Sequence, residues 1–133
     1  ALQVNHPLAA RAELGLKDVV DQTLILYPHI SRPSFIDYAL RLFHQLGVQP
    51  GDIREVDDLF TAISMVASGV GITLVTDSAC SLKLPGIRYI PIRKRDKAVL
   101  DLTIIYRAGD SSPLLAAFLN VVRKFSRGFR SGS

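Results

Sequence analysis

The sequence contains little cysteine and no long apolar run. Cys80 is the only cysteine among the 133 residues, so no disulfide can form within the chain, and a reducing, cytoplasmic setting is favoured. No run of about 18 apolar residues occurs, so we expect no transmembrane helix and no membrane partner. The first residues, Ala1 to His6, have neither the basic segment nor the apolar core of a secretion signal. Because the chain does not begin with methionine, we expect a fragment or a trimmed protein.

The sequence also lacks the motifs of common catalytic and metal sites. The three histidines, His6, His29 and His44, do not have the spacing of metal ligands. The GVG run at residues 69–71 lacks the third glycine of a dinucleotide-binding loop and precedes a strand instead of following one. Cys80 has no neighbouring base in the sequence, which is typical of a small buried thiol. We therefore predict no enzymatic activity, no metal and no cofactor.

Basic residues outnumber acidic ones by 16 to 12 and are concentrated in two groups, at residues 88–97 and 123–130. Neither group is accompanied by a helix-turn-helix, by zinc-finger spacing or by an aromatic-rich strand. Basic residues in the last turn of a helix complement the helix dipole, and charged loops are usually solvated. We therefore interpret both groups as solvated surface and not as a nucleic-acid site.

The segment EVDDLFTAISMVASGVGITLVTD, residues 55–77, predicts a helix, a glycine stop and a buried strand. Its acidic start, at residues 55–58, suits the positive end of the helix dipole. Ser68-Gly69 ends the helix, Gly71 allows a tight turn, and Ile72–Val75 is an apolar run of strand length. The apolar residues spaced for one helical face are Leu59, Phe60, Ala62, Ile63, Val66 and Ala67.

Strands and helices alternate along the rest of the chain, which predicts an α/β fold with a largely parallel sheet and helices on its faces. Pro28 ends the strand before it, and Ser34 with Asp37 has the form of a capping box for the next helix. The predicted strands are Ala1–Val4, Thr23–Tyr27, Ile53–Val56, Ile87–Ile92 and Val99–Tyr106; the predicted helices are Phe35–Leu46 and Pro113–Phe125; short helical turns are expected at Lys17–Asp21 and Ser78–Leu82, and a charged connector at Arg93–Lys97.

Physical arguments favour ligand binding at one loop, Ile30 to Phe35. It joins the end of a buried strand to the start of a helix, which is where open α/β sheets bind ligands. The N–H groups of a helix start favour an anion such as a carboxylate, and Arg32 could add a charge-assisted contact. Phe35 or Ile30 could form an apolar wall. An ordinary capped helix with a surface arginine explains the same pattern.

Several motifs together resemble one family. The most specific is the Val66-to-Ile72 run, VASGVGI, before a strand; the opening His6-Pro7-Leu8-Ala9 supports it, as do Gly86–Ile92 and Ser112-Pro113-Leu114. Over nearly its whole length the chain is similar to the effector-binding domain of LysR-type transcriptional regulators. The Tyr-Pro and Arg-Pro-Ser-Phe segments of residues 27–35 resemble the branch that responds to aromatic-degradation intermediates such as muconate.

The resemblance implies a cytoplasmic bacterial regulator with a periplasmic-binding-protein-like fold of type II. A small carboxylate effector, such as an aromatic acid or a muconate-like compound, would bind between two lobes and change how an oligomer sits on DNA. The resemblance assigns backbone N–H contacts with the effector carboxylate to this loop. The ligand-binding residues that we predict are Ser31, Arg32, Pro33, Ser34 and Phe35.

The resemblance also divides the chain. Residues 1–98 would be the second lobe, residues 99–127 a return strand and helix belonging to an otherwise missing first lobe, and residues 128–133 a tail. The DNA-binding domain, an N-terminal winged helix-turn-helix, and the start of the first lobe are not in this sequence. Without them the apolar faces of the return segment would be exposed, so we expect self-association through it.

Two other classes of protein fit parts of the pattern. A solute receptor of a transport system shares the two-lobed architecture, and a secretion signal upstream of Ala1 would identify it. A small α/β enzyme using Cys80 or a histidine would need a reactive thiol in a pocket, which a thiol titration would show.

Overall fold

The structure, a computed structural model, describes residues 1–27, 34–97 and 104–130, with side chains up to residue 126. The chain divides into two compact units, Ala1–Val99 and Leu100–Ser133. The strands are β1 (Leu2–Gln3), β2 (Thr23–Leu26), β3 (Asp52–Glu55) and β4 (Ile87–Arg88), and the α-helices are α1 (Phe35–Gln45), α2 (Leu59–Ala67) and α3 (Pro113–Arg130).

Strand β2 lies at the centre of the first unit. Leu24, Ile25 and Leu26 are completely buried, each with a relative exposure of 0%. Strand β3 pairs in parallel along the whole of β2, and Ile72 forms a parallel bridge with Leu24. Apolar residues of α1 and α2 pack against the β2 side chains. These parallel pairs with helices packed on them are the arrangement that the alternating pattern predicts.

Both helices of the first unit begin and end as their sequences indicate. Ser34 caps α1 and forms a capping box with Asp37. Asp58 caps α2, and its side chain accepts a hydrogen bond from the Thr61 N–H. Gly69, directly after the C-cap of α2, has a φ of 79°, the left-handed conformation that glycine tolerates best. The predicted capping box and glycine stop are therefore confirmed.

The prediction that Phe60 belongs to the buried face of α2 is wrong, since its side chain is 64% exposed. Ala62, Ile63 and Val66 form the buried face. Successive helical residues are rotated by about 100°, which places Phe60 more than a quarter turn from the centre of that face.

Position 71 requires a glycine because the Thr23 backbone leaves no room for a side chain there. The predicted reason, a tight turn, is wrong. The φ of Gly71 is not among the positive values found at other glycines. A Cβ atom at Gly71 would lie 2.3 Å from the carbonyl oxygen of Thr23. The glycine therefore allows the backbone to reach the central strand, where Ile72 donates its N–H to the same carbonyl at 2.9 Å.

Three predicted strands are shorter than expected by two residues or more, and the first is Ala1–Val4, of which only Leu2–Gln3 is a strand. Of Ile72–Val75 only Ile72 pairs as a bridge, because the Thr73 N–H is bonded to the Ala1 carbonyl and the chain leaves β2. Of Ile87–Ile92 only β4 is a strand, paired antiparallel with β1. Pro91 has no N–H for a ladder, and Ile92 pairs instead with Leu14.

One segment interpreted as solvated is part of the packed structure. Residues Lys94–Asp96 form a 3-10 turn, in which the Asp96 residue is only 8% exposed. The Arg93 side chain, 31% exposed, lies 3.1 Å from Asp18. The interpretation of the 88–97 group as simple solvated surface is therefore wrong for Arg93, because acidic partners distant in the sequence hold it.

The second unit is described from residue 104. Most of the predicted strand Val99–Tyr106 lies outside the described residues, and its last part, residues 104–106, is not a strand. Helix α3 begins at Pro113 as predicted and carries an apolar stripe with exposed side chains. The residues of the stripe, with their relative exposures, are Leu114 (79%), Phe118 (52%), Val121 (63%) and Phe125 (72%).

None of the helices in the described part of the chain has the length and hydrophobicity that a membrane span needs.

We expect Gly71→Ala to destabilise the first unit by about 2 kcal/mol or more, since the added methyl group meets backbone and not a movable side chain. Urea unfolding monitored by circular dichroism measures this change. Gly51→Ala is the matched control with a smaller expected loss, because its Cβ would also face a backbone carbonyl oxygen, that of Val20, but at 3.3 Å. Equal losses of stability in the two variants would contradict the close-approach argument.

Candidate functional site

The carboxyl ends of the parallel strands lie at one edge of the first unit. Strand β2 ends at Leu26 and β3 at Glu55, and the Val56 N–H continues the pairing by donating to the Leu26 carbonyl at 2.9 Å. Helix α1 is the next helix after β2, and α2 follows β3 after three residues. Ligands of open α/β sheets bind at this edge, so the starts of α1 and α2 are the two candidate binding positions.

The structure describes two of the five predicted site residues. Ser34 and Phe35 are at the start of α1. Ser31, Arg32 and Pro33 lie outside the described residues, so the roles predicted for them stay predictions.

Ser34 and Asp37 fix the start of α1 by reciprocal hydrogen bonds. The Ser34 N–H donates to Asp37 Oδ2 at 2.8 Å, and the Asp37 N–H donates to Ser34 Oγ at 3.2 Å. The first N–H groups of an α-helix have no partner within the helix. In this first turn the N–H groups of Phe35 and Ile36 are the ones left outside the cap, and these are the donors that an anion could use.

Phe35 and Tyr27 connect the end of β2 to the start of α1. Their rings stack with centroids 5.0 Å apart and an interplanar angle of 22°. Both side chains are nearly buried, at 9% and 6% exposure, and they pack with Ile25, Ala62 and Val66. Burial raises the pKa of Tyr27 to about 12, so the hydroxyl stays protonated further into the alkaline range than that of an exposed tyrosine.

The stack places the Phe35 ring in the apolar core. Its predicted role as a wall against the ligand stays a prediction. The apolar pattern predicts Tyr27 as part of a buried strand and not as part of the site. The available signal was an aromatic residue at each end of the loop, directly after β2 and directly after the helix cap.

The start of α2 is less suited to an anion than the start of α1. Its N-cap is itself a carboxylate, Asp58, which accepts hydrogen bonds from the Thr61 N–H and from Thr61 Oγ1, each at 2.9 Å. The bond from the Thr61 N–H is the main reason why the pKa of Asp58 is lowered. Asp57 precedes it, so an anion here would meet two carboxylates, whereas the first turn of α1 has one, Asp37, next to a neutral serine N-cap.

The described histidines and the cysteine do not form a catalytic group. His6 Nδ1 accepts the Leu8 N–H at 3.2 Å, and His6 Nε2 lies 3.0 Å from Gln22 Oε1, so His6 has a structural role. Cys80 is half-buried and bonds only weakly to the Thr76 carbonyl, with Sγ 3.8 Å from the oxygen. Within the described ranges no three His, Cys, Asp or Glu residues are grouped as metal ligands would be.

The structure also contains an open groove of about 540 Å³ against α1 and β3. Leu40, His44 and Ile53 line it. Asp37, which accepts the Ser34 N–H, lines it as well, so the groove reaches the first turn of α1.

Comparison with known proteins identifies the family. The family model of the LysR substrate binding domain matches residues 1–127. The regulator CatR of Pseudomonas putida is 35% identical over 121 residues, covering 91% of this chain and 41% of its own length. The regulator BenM of Acinetobacter baylyi is 30% identical over 126 residues, covering 93% of this chain and 41% of its own length. The chain thus spans about two fifths of these relatives.

Solved structures agree with the fold. The BenM effector-binding domain with its effector benzoate has a TM-score of 0.77 and 26% identity, covering 99% of this chain and 60% of that one. The regulator CbnR has a TM-score of 0.75 and 25% identity, covering 92% and 42%. These matches confirm the predicted class, an α/β periplasmic-binding-protein-like fold of type II. Because the relatives named are transcriptional regulators, the transport-receptor hypothesis has no support. The chain belongs to the LysR substrate-binding domain family.

Proposed function

We propose that this chain is the effector-sensing part of a bacterial transcriptional regulator, and that its effector is a small carboxylate such as an aromatic acid or a muconate-like compound. The observation that carries the proposal is the likeness, over almost the whole chain, to an effector-binding domain solved with benzoate. The chain would act by binding and not by catalysis, in the cytoplasm.

The loop that carries Ser31, Arg32, Pro33, Ser34 and Phe35 is our candidate for the carboxylate contacts. Both of its described ends are held in place: Tyr27 and Phe35 stack on each other, and the Ser34–Asp37 cap fixes the first turn of α1. A loop fixed at both ends loses less conformational entropy when a ligand binds. Backbone N–H groups and the Arg32 guanidinium would supply the anion contacts.

We further propose that residues 1–98 are one lobe of a two-lobed sensor, that residues 99–127 return to the other lobe, and that residues 128–133 are a tail. The division of the chain into Ala1–Val99 and Leu100–Ser133 supports this boundary. The effector would bind between the lobes and stabilise one of their arrangements over others, which is a population shift.

The readout would require the rest of a longer protein. The matched relatives are more than twice as long as this chain and are called HTH-type regulators. An N-terminal winged helix-turn-helix domain would bind DNA, and a dimer or tetramer would report the lobe arrangement to it. The effector would need a larger affinity for one arrangement, since a ligand shifts an equilibrium only by its differential affinity.

The apolar stripe of α3 supports self-association of the chain. Leu114 and Val121 are 79% and 63% exposed, and a continuous exposed apolar stripe is unfavourable in water. Association of two stripes would remove this area from solvent.

We predict that Arg32→Ala, in the full-length protein with both lobes, weakens benzoate or muconate binding by roughly 1–3 kcal/mol, which is typical of a lost hydrogen bond to a charged group. Titration calorimetry with either ligand measures the change. Arg41→Ala is the control, because Arg41 lies further along α1 with its guanidinium carbon 4.9 Å from the centre of the Tyr38 ring. An unchanged affinity in Arg32→Ala would remove Arg32 from the site.

We predict that the chain self-associates with rising concentration, and that Phe118→Glu shifts it toward the monomer by placing a charge in the apolar stripe. Sedimentation velocity over a range of concentrations measures this. Ala116→Glu adds the same charge about half a turn away on α3 and should leave association unchanged. If the wild-type chain sediments as a monomer at high concentration, the stripe is not an association surface.

A further inference from the structure

Two segments far apart in the sequence meet where the described part of the first unit ends. The Leu14 N–H donates to the Pro91 carbonyl at 3.0 Å, and the Arg93 N–H donates to the Leu14 carbonyl at 2.9 Å. Leu14 and Ile92 thereby form a parallel bridge. Residue 97 is the last described residue before the boundary between the two units at Val99. These contacts hold the segment that leads out of the unit.

Ion pairs reinforce this backbone contact on one side. Arg93 Nη2 lies 3.1 Å from Asp18 Oδ2, and Arg93 Nε lies 3.6 Å from Glu13 Oε1. Arg11 Nη1 lies 3.4 Å from the other Asp18 oxygen. Asp18 Oδ2 also accepts the Gly15 N–H at 2.8 Å. One guanidinium thus connects residue 93 to two carboxylates of the 13–18 segment.

A buried carboxylate in the 93–96 turn, that of Asp96, also contacts the 13–18 segment. Asp96 is 8% exposed, and its Oδ2 accepts the Leu16 N–H at 3.1 Å. Its own N–H donates to the Arg93 carbonyl at 2.8 Å, which closes the 3-10 turn. The 93–96 turn and the 13–18 segment are therefore joined in two ways. The Asp96 side chain bonds the Leu16 backbone, and the Glu13 and Asp18 side chains pair with Arg93.

Gly15 lies between these groups. A Cβ atom there would be 2.9 Å from Arg93 Nη1 and 2.9 Å from Asp96 Oδ2. Its backbone, with φ −87° and ψ 157°, is open to any residue. A side chain at position 15 would therefore have to displace the ends of the Arg93 and Asp96 side chains.

We infer that Glu13, Asp18, Arg93 and Asp96 form a clamp that fixes the segment leading out of the first unit, with Arg93 as its central positioning residue. Partly exposed ion pairs contribute little to global stability, but local opening depends on just such contacts. The clamp would therefore govern opening of residues 91–97 much more than unfolding of the β2 core. A further consequence rests on the proposed two-lobed sensor: in that protein the clamp would hold one end of the connection between the lobes.

The test is native-state hydrogen exchange of the whole chain, read by mass spectrometry with residue-level fragmentation, in wild type and Asp18→Asn. Asparagine can still accept the Gly15 N–H, but it removes the negative charge that attracts the Arg93 and Arg11 guanidinium groups. We expect the Arg93 and Leu16 amides to exchange roughly tenfold faster in the variant, and the Leu24 and Leu26 amides to be unchanged. Asp77→Asn is the matched control, because it removes the 3.8 Å ion pair to Lys97 from the same segment outside the clamp.

Limited trypsin digestion gives an independent measurement, since Lys94, Arg95 and Lys97 are cleavage sites that Asp18→Asn leaves intact. Wild-type cleavage at these residues should rise between 50 mM and 1 M KCl, because salt screens partly exposed ion pairs, and Asp18→Asn should be fast at both. Unchanged exchange in Asp18→Asn, equal acceleration in Asp77→Asn, or equal acceleration of the β2 amides would each overturn the clamp. If Asp18→Asn does not fold, Glu13→Gln is measured instead, with a smaller acceleration confined to residues 91–97 as the supporting result.

Discussion

The close approach of Gly71 to Thr23 is the constraint on which the first unit depends. It brings Ile72 within hydrogen-bond distance of β2, so the central strand has partners along both edges. Leu24, Ile25 and Leu26 can then be buried completely. Burial of such side chains contributes about 1.5–3 kcal/mol each, whereas a helix cap contributes about 1 kcal/mol. The packing around β2 therefore sets the fold, and the caps adjust where the helices begin.

The candidate site follows from that packing. Because β2 is fixed, Tyr27 emerges from it at a defined place, and Phe35 stacks on Tyr27. The stack and the Ser34 cap together set the first turn of α1, whose outward N–H groups are the features that an anion recognises. A ligand site at this edge thus uses core side chains for its position and backbone groups for its chemistry.

Local patterns were sufficient where the structure is determined by neighbours in the chain. The Ser34–Asp37 cap, the glycine end of α2 and the start of α3 at Pro113 all depend on a few adjacent residues. The failure at Phe60 is local: the residue is apolar, but the rotation of about 100° per residue places it away from the buried face of α2. Ile72–Val75 is apolar enough for a strand, yet Thr73 bonds to Ala1, a long-range partner that no window of sequence shows.

Arg93 shows the same limit for charge. In sequence it belongs to a basic run, and such runs are usually solvated; in the structure its partners Glu13 and Asp18 are about 75–80 residues earlier. Composition could not distinguish Arg93 from Arg95, whose side chain is 77% exposed and whose ion-pair partner, 3.8 Å away, is the adjacent Asp96. The difference arises because Leu14 and Ile92 pair, which brings the two segments together and places an arginine beside carboxylates. A fold built around one buried strand thereby also determines which surface charges have structural partners and which remain in solvent.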